Sequence, residues 1–232
     1  MKLGLGLNLK TSGGAWTPAN ISSLIHWYRY DTGITKDGDE DITEWADQKG
    51  SNDLTAEGSA GVSPLYASGA VHFNSAGDLL TLDSEVSLGT FSIYCRVEGS
   101  DLTNDSLYEK HPGVSASDFF QIKATDEIRV KVGGSGRHDV SSGISLSVDT
   151  KYNLGWERED TGSTTEDQMY VFVDGVNKPF DSGHGKLAIT TALAVTTFGK
   201  PAVENKFYEI VICNNSLSAS DRVKLNNYLK KI

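Results

Sequence analysis

The sequence predicts an all-β protein: a two-sheet antiparallel sandwich with a short C-terminal helix. Three observations carry this prediction. Val, Ile, Thr, Phe and Tyr gather in more than ten short runs, and Gly and Ser fill the gaps between them. Tyr170-Val171-Phe172-Val173-Asp174-Gly175-Val176 reads as a hairpin, its Asp-Gly pair supplying the positive φ of a two-residue turn. Long helical periodicity is found at the end, where Leu225, Tyr228, Leu229 and Ile232 recur at i, i+3, i+4, i+7 behind a Ser218/Asp221 capping pattern. Lys230 and Lys231 are placed in its last turn, where the helix dipole favours positive charge. All-β sandwiches reach 232 residues undivided, and a chain this long buries enough apolar surface without a metal or disulfide.

In chain order, residues 1–14 form an arm and residues 15–232 the sandwich domain. Leu3, Leu5, Leu7 and Leu9 alternate with Gly4, Gly6 and Asn8, which gives a strand with one leucine face and one nearly bare face. Trp16 follows as a pin for the arm. Thr17-Pro18 opens a helical turn through Ser23, with Thr as N-cap and Pro at the first helical position. Strands are expected at 24–30 and 42–47 around an Asp37-Gly38-Asp39 turn. Others are expected at 70–74, 79–82, 91–98, 106–110, 119–123, 127–132, 152–158, 168–174, 176–180, 195–198 and 207–213.

Composition excludes several roles. A net charge of −10 argues against a nucleic-acid partner, which needs a concentrated basic surface. The first residues hold one Lys and no continuous apolar stretch, so neither a signal peptide nor membrane insertion is expected. N-x-S triplets at Asn20, Asn104 and Asn214 arise easily by chance in a Ser-rich chain. Cys95 and Cys213 sit inside apolar runs and read as buried free thiols.

The order of segments resembles the concanavalin A-like lectin/glucanase superfamily, particularly its laminin-G-like jelly rolls. The resemblance runs from Val71-His72-Phe73-Asn74 through Asp78–Leu82 and Phe91-Ser92-Ile93-Tyr94 to the Tyr170–Val176 hairpin and the strand holding Trp156. It ends with Phe207–Ile212 and the closing Leu217–Arg222. The preface Trp16-Thr17-Pro18, Trp27-Tyr28, Asp31-Thr32-Gly33-Ile34-Thr35 and Glu44-Trp45-Ala46-Asp47-Gln48-Lys49-Gly50 is similar to jelly-roll virion proteins of tailed, especially marine, bacteriophages. That resemblance covers about a quarter of the chain, and Gly-Leu-repeat N-termini resemble those proteins as well.

Enzymes on such a fold cut β-glucans, which requires two carboxylates ~5–5.5 Å apart for retention. The Glu-x-Asp-x-x-Glu pattern of related glucanases is absent, and Glu157 and Glu159 read as a solvated strand edge. His26, His72, His111, His138 and His184 are scattered without metal-ligand spacing; His26 and His72 read as packed or edge residues. Gly133-Gly134-Ser135-Gly136 is a loop without the Lys-Ser/Thr and helix of a phosphate site. Calcium is the more serious candidate, at the acidic turn of Asp37, Asp39, Glu40 and Asp41, although a hydrated hairpin tip accounts for the same residues. Trp27, Trp45 and Trp156 would stack on sugars if exposed, but their alternation with polar residues fits core packing better.

The expectation is therefore a non-enzymatic structural or decoration protein of a tailed-phage virion, anchored by its arm. Its partners would be capsid or tail subunits or further copies of itself. The alternative is a carbohydrate-binding module that attaches to host-surface glycan, and a glucanase-like enzyme is the weakest reading. The arm discriminates, because four leucines buried against a partner contribute about 6–12 kcal/mol before ordering costs. Deleting residues 1–14 should leave the melting temperature nearly unchanged while abolishing oligomerisation or particle incorporation. Collapse of melting with association intact would instead make the arm part of the sandwich core.

Overall fold

The computed structural model describes residues 15–56, 63–75, 77–100, 102–103, 105–110, 118–133, 136–159, 168–182, 191–199 and 204–232. The arm with Leu3, Leu5, Leu7 and Leu9 lies outside them, as do His111, His184, Asn104 and the centre of the 133–136 glycine loop.

Two antiparallel sheets face each other. Across the first, strands β15 (Val176–Lys178), β14 (Met169–Val173), β13 (Lys151–Arg158), β8 (Phe91–Gly99), β17 (Asn205–Cys213), β6 (Ala70–Phe73) and β5 (Leu65–Ala67) follow one another. Strand β1 (Leu24–Arg29) continues the row of β6 along the C-terminal half of β17. The second sheet runs β12 (His138–Val140), β11 (Glu127–Lys131), β10 (Phe119–Ala124), β9 (Asp105–Glu109), β16 (Leu193–Gly199), β7 (Leu79–Leu88), β4 (Leu54–Ala56), β3 (Ile42–Trp45) and β2 (Ile34–Lys36). The all-β sandwich expected from the sequence is what forms. Strands β2, β4, β5 and β12 escape the sequence pattern because three residues carry no periodicity. Strand β7 runs beyond the expected Leu82, through an exposed Asp83-Ser84-Glu85 that reads as a turn.

The inter-sheet core is aromatic. The Tyr108 ring stacks on Phe120 at 5.5 Å and on Trp156 at 6.2 Å, and Phe91 meets Trp156 edge-on at 5.0 Å. Trp45 and Trp156 are fully buried there, in agreement with the packing role expected of them. Asp174 and Gly175 both adopt positive φ, 51° and 83°, and close the β14–β15 hairpin as the Asp-Gly pair requires.

Helix α1 (Ala219–Leu229) lies across the outer face of the first sheet. Its Ser218 cap accepts the Asp221 amide at 3.1 Å. Lys230 and Lys231 fall at and past the C-cap, a correction to their expected place in the last turn. Leu225 and Leu229 pack with Trp27, Phe172 and Val211 into a second apolar cluster, and the half-buried Trp16 joins it edge-on to Tyr228 at 6.3 Å. The short helical turn ahead of it is a 3-10 turn, Pro18–Asn20. Strands β8, β13 and β17 are thus buried on both faces. Cys95 points into the inter-sheet core and Cys213 into the helix-side cluster, so both are buried and free on opposite faces of one sheet. Burial pushes the Cys213 thiol up to about 12.

Glu157 overturns its sequence reading. It lies in an interior strand and is completely buried, because α1 roofs the face to which it points. Arg222 of α1 grips both its oxygens, Nε to Oε1 at 3.0 Å and Nη2 to Oε2 at 2.8 Å, and the Tyr94 hydroxyl donates to Oε1 at 2.5 Å. Gly155 makes the arrangement possible, since a Cβ there would collide with the Tyr94 ring. This carboxylate raises the Arg222 guanidinium pKa further, and burial first, then Glu157, keeps the Tyr94 phenol neutral. Removing one member of a buried pair strands the other charge at a cost of ~3–5 kcal/mol. Arg222→Met should therefore lower unfolding free energy by about 3 kcal/mol in urea melts, and adding Glu157→Gln to it should restore most of that loss.

Candidate functional site

Strand β1 belongs to the first sheet and β2 to the second, so the chain must cross the sandwich rim between Arg29 and Ile34. The crossing is braced by residues of the Glu44–Gly50 segment. Among the described residues no further strand pairs with the outward backbone groups of β1. The Trp27 amide donates to Asp47 Oδ1 at 2.9 Å, its carbonyl accepts from Gln48 at 2.7 Å, and the Arg29 carbonyl accepts from the Trp45 indole at 2.7 Å. Burial alone would raise the Asp47 carboxyl. Bonds from His26 (2.7 Å), the Trp27 amide and the Lys49 amide overcome that and hold it below its usual range. A Cβ on Gly50 would press on Asp47, Ile25 and His26. The Trp27/Trp45/Asp47/Gly50 pattern thus caps a sheet edge.

The same rim is stitched at β5, where the Ile42 amide donates to Pro64 and the Tyr66 amide to Glu40. Between them sits the acidic turn. Asp37 Oδ1 accepts the amides of Asp39 at 2.9 Å and Asp41 at 3.1 Å, and Lys36 pairs with Glu40. The carboxylate of Asp37 closes its own hairpin tip, while Asp39 is exposed and Asp41 bridges to Leu65. Among the described residues no group of three or more His, Cys, Asp or Glu is placed to hold a metal ion.

A cleft of about 140 Å³ opens at this crossing, lined by Asp31, Thr32, Gly33, Ile34, Lys36 and Tyr66. Most ligand pockets are ~300–1,000 Å³, so this one accommodates a small polar moiety. The Tyr66 hydroxyl is fixed on the Tyr30 carbonyl at 2.6 Å, and the Lys36 ammonium lies 5.5 Å from its ring centroid. Burial and then Asp31 keep this phenol above its ordinary value. Asp31 meets Arg29 Nη2 at 2.9 Å and accepts from the Thr32 hydroxyl at 3.1 Å. A carboxylate, an ammonium, a hydroxyl and an aromatic edge therefore converge. Sequence reasoning missed this cleft because its residues come from a crossing and a three-residue strand; Asp31-Thr32-Gly33-Ile34 was visible only as part of the preface.

Beneath α1, on the strand pair that feeds the cleft, Glu209 is fully buried. The Trp27 indole donates to its Oε1 at 2.5 Å, while Oε2 makes no hydrogen bond. Burial raises this carboxyl to about 7, against the opposing pull of Trp27, Tyr228 and Arg29.

No family model matches the sequence, and no curated protein matches it. Solved structures do. Trypanosoma rangeli sialidase in complex with 2,3-difluoro-KDN aligns with TM-score 0.59 and 14% identity over 89% of this chain and 32% of that one. A botulinum neurotoxin type C structure, described for its dependence on two ganglioside molecules in cell entry, aligns with TM-score 0.58 and 14% identity over 92% of this chain and 53% of that one. The binding domain of botulinum neurotoxin DC in complex with SialylT gives TM-score 0.58 and 14% identity over 90% and 52%. At such identities the likeness is one of fold, a β-sandwich of concanavalin-like, jelly-roll type. The chain spans about a third of the sialidase chain and about half of the toxin chains.

The raised Glu209 carboxyl has a stability consequence. Its folded value of about 7 exceeds the ordinary 4.5, so protonation favours the fold. Its contribution is fully present below pH ~4.5 and is lost as pH rises through ~7, a loss of order 3 kcal/mol. Glu209→Gln keeps an acceptor for Trp27 and removes the charge. The variant should melt several degrees above the unaltered protein at pH 8, with the difference vanishing by pH 4.5, in parallel thermal scans.

Proposed function

We propose that this chain is a non-catalytic, lectin-like module that binds a terminal sugar of a surface glycan in the Asp31–Tyr66 cleft. The observation that carries the reading is the cleft itself. Asp31 offers a carboxylate to adjacent sugar hydroxyls, Lys36 and Thr32 offer complementary polar groups, and Tyr66 offers an aromatic wall. Support comes also from the likeness of fold to toxin chains studied with gangliosides and SialylT. A hydrolytic reading loses its first candidate acid, because Glu157 is sealed under α1 in an ion pair.

A place in a tailed-phage particle remains a proposal of the arm and of the preface resemblance. The preface residues Trp27, Trp45, Asp47 and Gly50 all have work in closing the rim. The arm is therefore the feature that speaks for assembly. The two roles are compatible in one chain.

An array of neutral and sialylated oligosaccharides, followed by calorimetry on the strongest binder, tests the module. Asp31→Ala should weaken binding at least tenfold, since a hydrogen bond to a charged group is worth ~1.5–3 kcal/mol, and Tyr66→Ala should weaken it as well. Melting should change little in Asp31→Ala, whereas Tyr66→Ala should also lower it because that ring packs against the inter-sheet core; the bound oligosaccharide should show no new reducing ends. Binding untouched by both substitutions would remove the cleft from the proposal, and steady release of reducing ends would remove the non-catalytic reading.

A further inference from the structure

We propose that Arg29 is shared between two carboxylates, the buried Glu209 and the cleft residue Asp31, so that the charge state of Glu209 sets how freely Asp31 meets a ligand. The inference rests on reading the cleft as a glycan site and concerns the regulation of that site.

The geometry points to it in three ways. Arg29 and Glu209 are direct cross-strand partners in the β1–β17 ladder, and both project toward the helix side of the sheet. Two buried atoms of this neighbouring pair are orphaned: Glu209 Oε2, an acceptor, and Arg29 Nε, a donor. Buried polar atoms are overwhelmingly paired, and a complementary couple left open on adjacent side chains is an interaction waiting for a change of state. Finally, the guanidinium sits beside groups that hold both acids. It lies 5.1 Å from the centre of the Trp27 ring, whose indole holds Glu209, and its Nη2 reaches Asp31 at 2.9 Å.

Two other groups face Glu209. Tyr228 of α1 donates to the same carboxylate and favours its ionised form, but it is neutral and burial keeps it so. Arg96 of β8, its cross-strand neighbour on the other side, also leaves Nε unbonded, but it is held in place by Nη1 bonds to the Lys151 carbonyl and to Asn153 Oδ1, both at 3.1 Å. Asp31 adds repulsion, and Arg29 is the cation that favours the ionised form.

With Glu209 protonated, Arg29 stays on Asp31 and neutralises it. When Glu209 loses its proton to solvent, a full charge appears opposite Arg29 in a site shielded from water, where attraction is strong. Arg29 Nε then closes on Oε2, its grip on Asp31 loosens, and the Asp31 carboxylate becomes available to accept ligand hydroxyls. Glu209 is poised near neutrality by its burial, so affinity should rise as pH rises through about 7.

The test uses the full chain with 13C-labelled side-chain carboxyls, titrated by NMR from pH 5 to 9, beside calorimetry with lactose, a neutral sugar with no group that titrates between pH 6 and 8. Glu209 should titrate near neutrality, and the Asp31 resonance should step at the same midpoint. The step should vanish in Glu209→Gln, and in Arg29→Lys, whose single ammonium lacks the Nε and Nη2 donors that serve the two acids. Lactose affinity should rise severalfold from pH 6 to 8 in the unaltered protein and stay flat in Glu209→Gln. An Asp31 resonance without the step, or a step accompanied by pH-independent binding, overturns the switch and leaves the glycan reading standing. A coupled step with no lactose binding at any pH upholds the sharing of Arg29 and counts against the cleft as a site for that sugar.

Discussion

Helix α1 lying across one sheet is the constraint on which the rest of the structure depends. An antiparallel sheet with one wet face can point polar side chains outward freely. Here the central strands β8, β13 and β17 are roofed by α1 and by the turn before β1, so each outward polar group must be matched in the dry. Glu157 finds Arg222 and Tyr94, and Asn153 donates to Asn226 Oδ1 at 2.8 Å. Ser92 accepts the Leu217 amide at 3.0 Å. These contacts fix where the helix sits and how it is rotated. Glu209 is the member whose matching is incomplete, and it lies directly opposite the residue that reaches toward the rim.

This arrangement also explains which parts of the sequence were legible. The hairpin at Asp174-Gly175 and the Ser218 cap are local devices, and local chemistry identifies them from a few residues. The long strands were visible as apolar runs, and the burial of Trp45 and Trp156 followed from their neighbours. Glu157 was not legible, because an acid flanked by Arg158 and Glu159 looks solvated unless a helix more than sixty residues later is known to cover it. Strands β2 and β5 were too short to show a period, and they hold two sides of the cleft. The candidate site therefore depended on tertiary placement that alternation patterns do not encode.

The acidic residues illustrate how one composition divides into separate roles. Asp37 closes a turn, Asp47 organises an edge, Glu157 anchors a helix and Asp31 lines a cleft. These four acids each serve a different local purpose within a chain of net charge −10. In the acidic cluster the carboxylate of Asp37 turns back on its own backbone, as a hairpin tip does.

The loop that seals β1 has a bearing on how copies of this chain can gather. A sheet edge sheathed by its own chain offers no template for another strand, so growth by continuous pairing is blocked on that flank. The three-residue β15 at the far flank is too brief to sustain it. Contacts through that distant flank would leave every rim crossing turned outward.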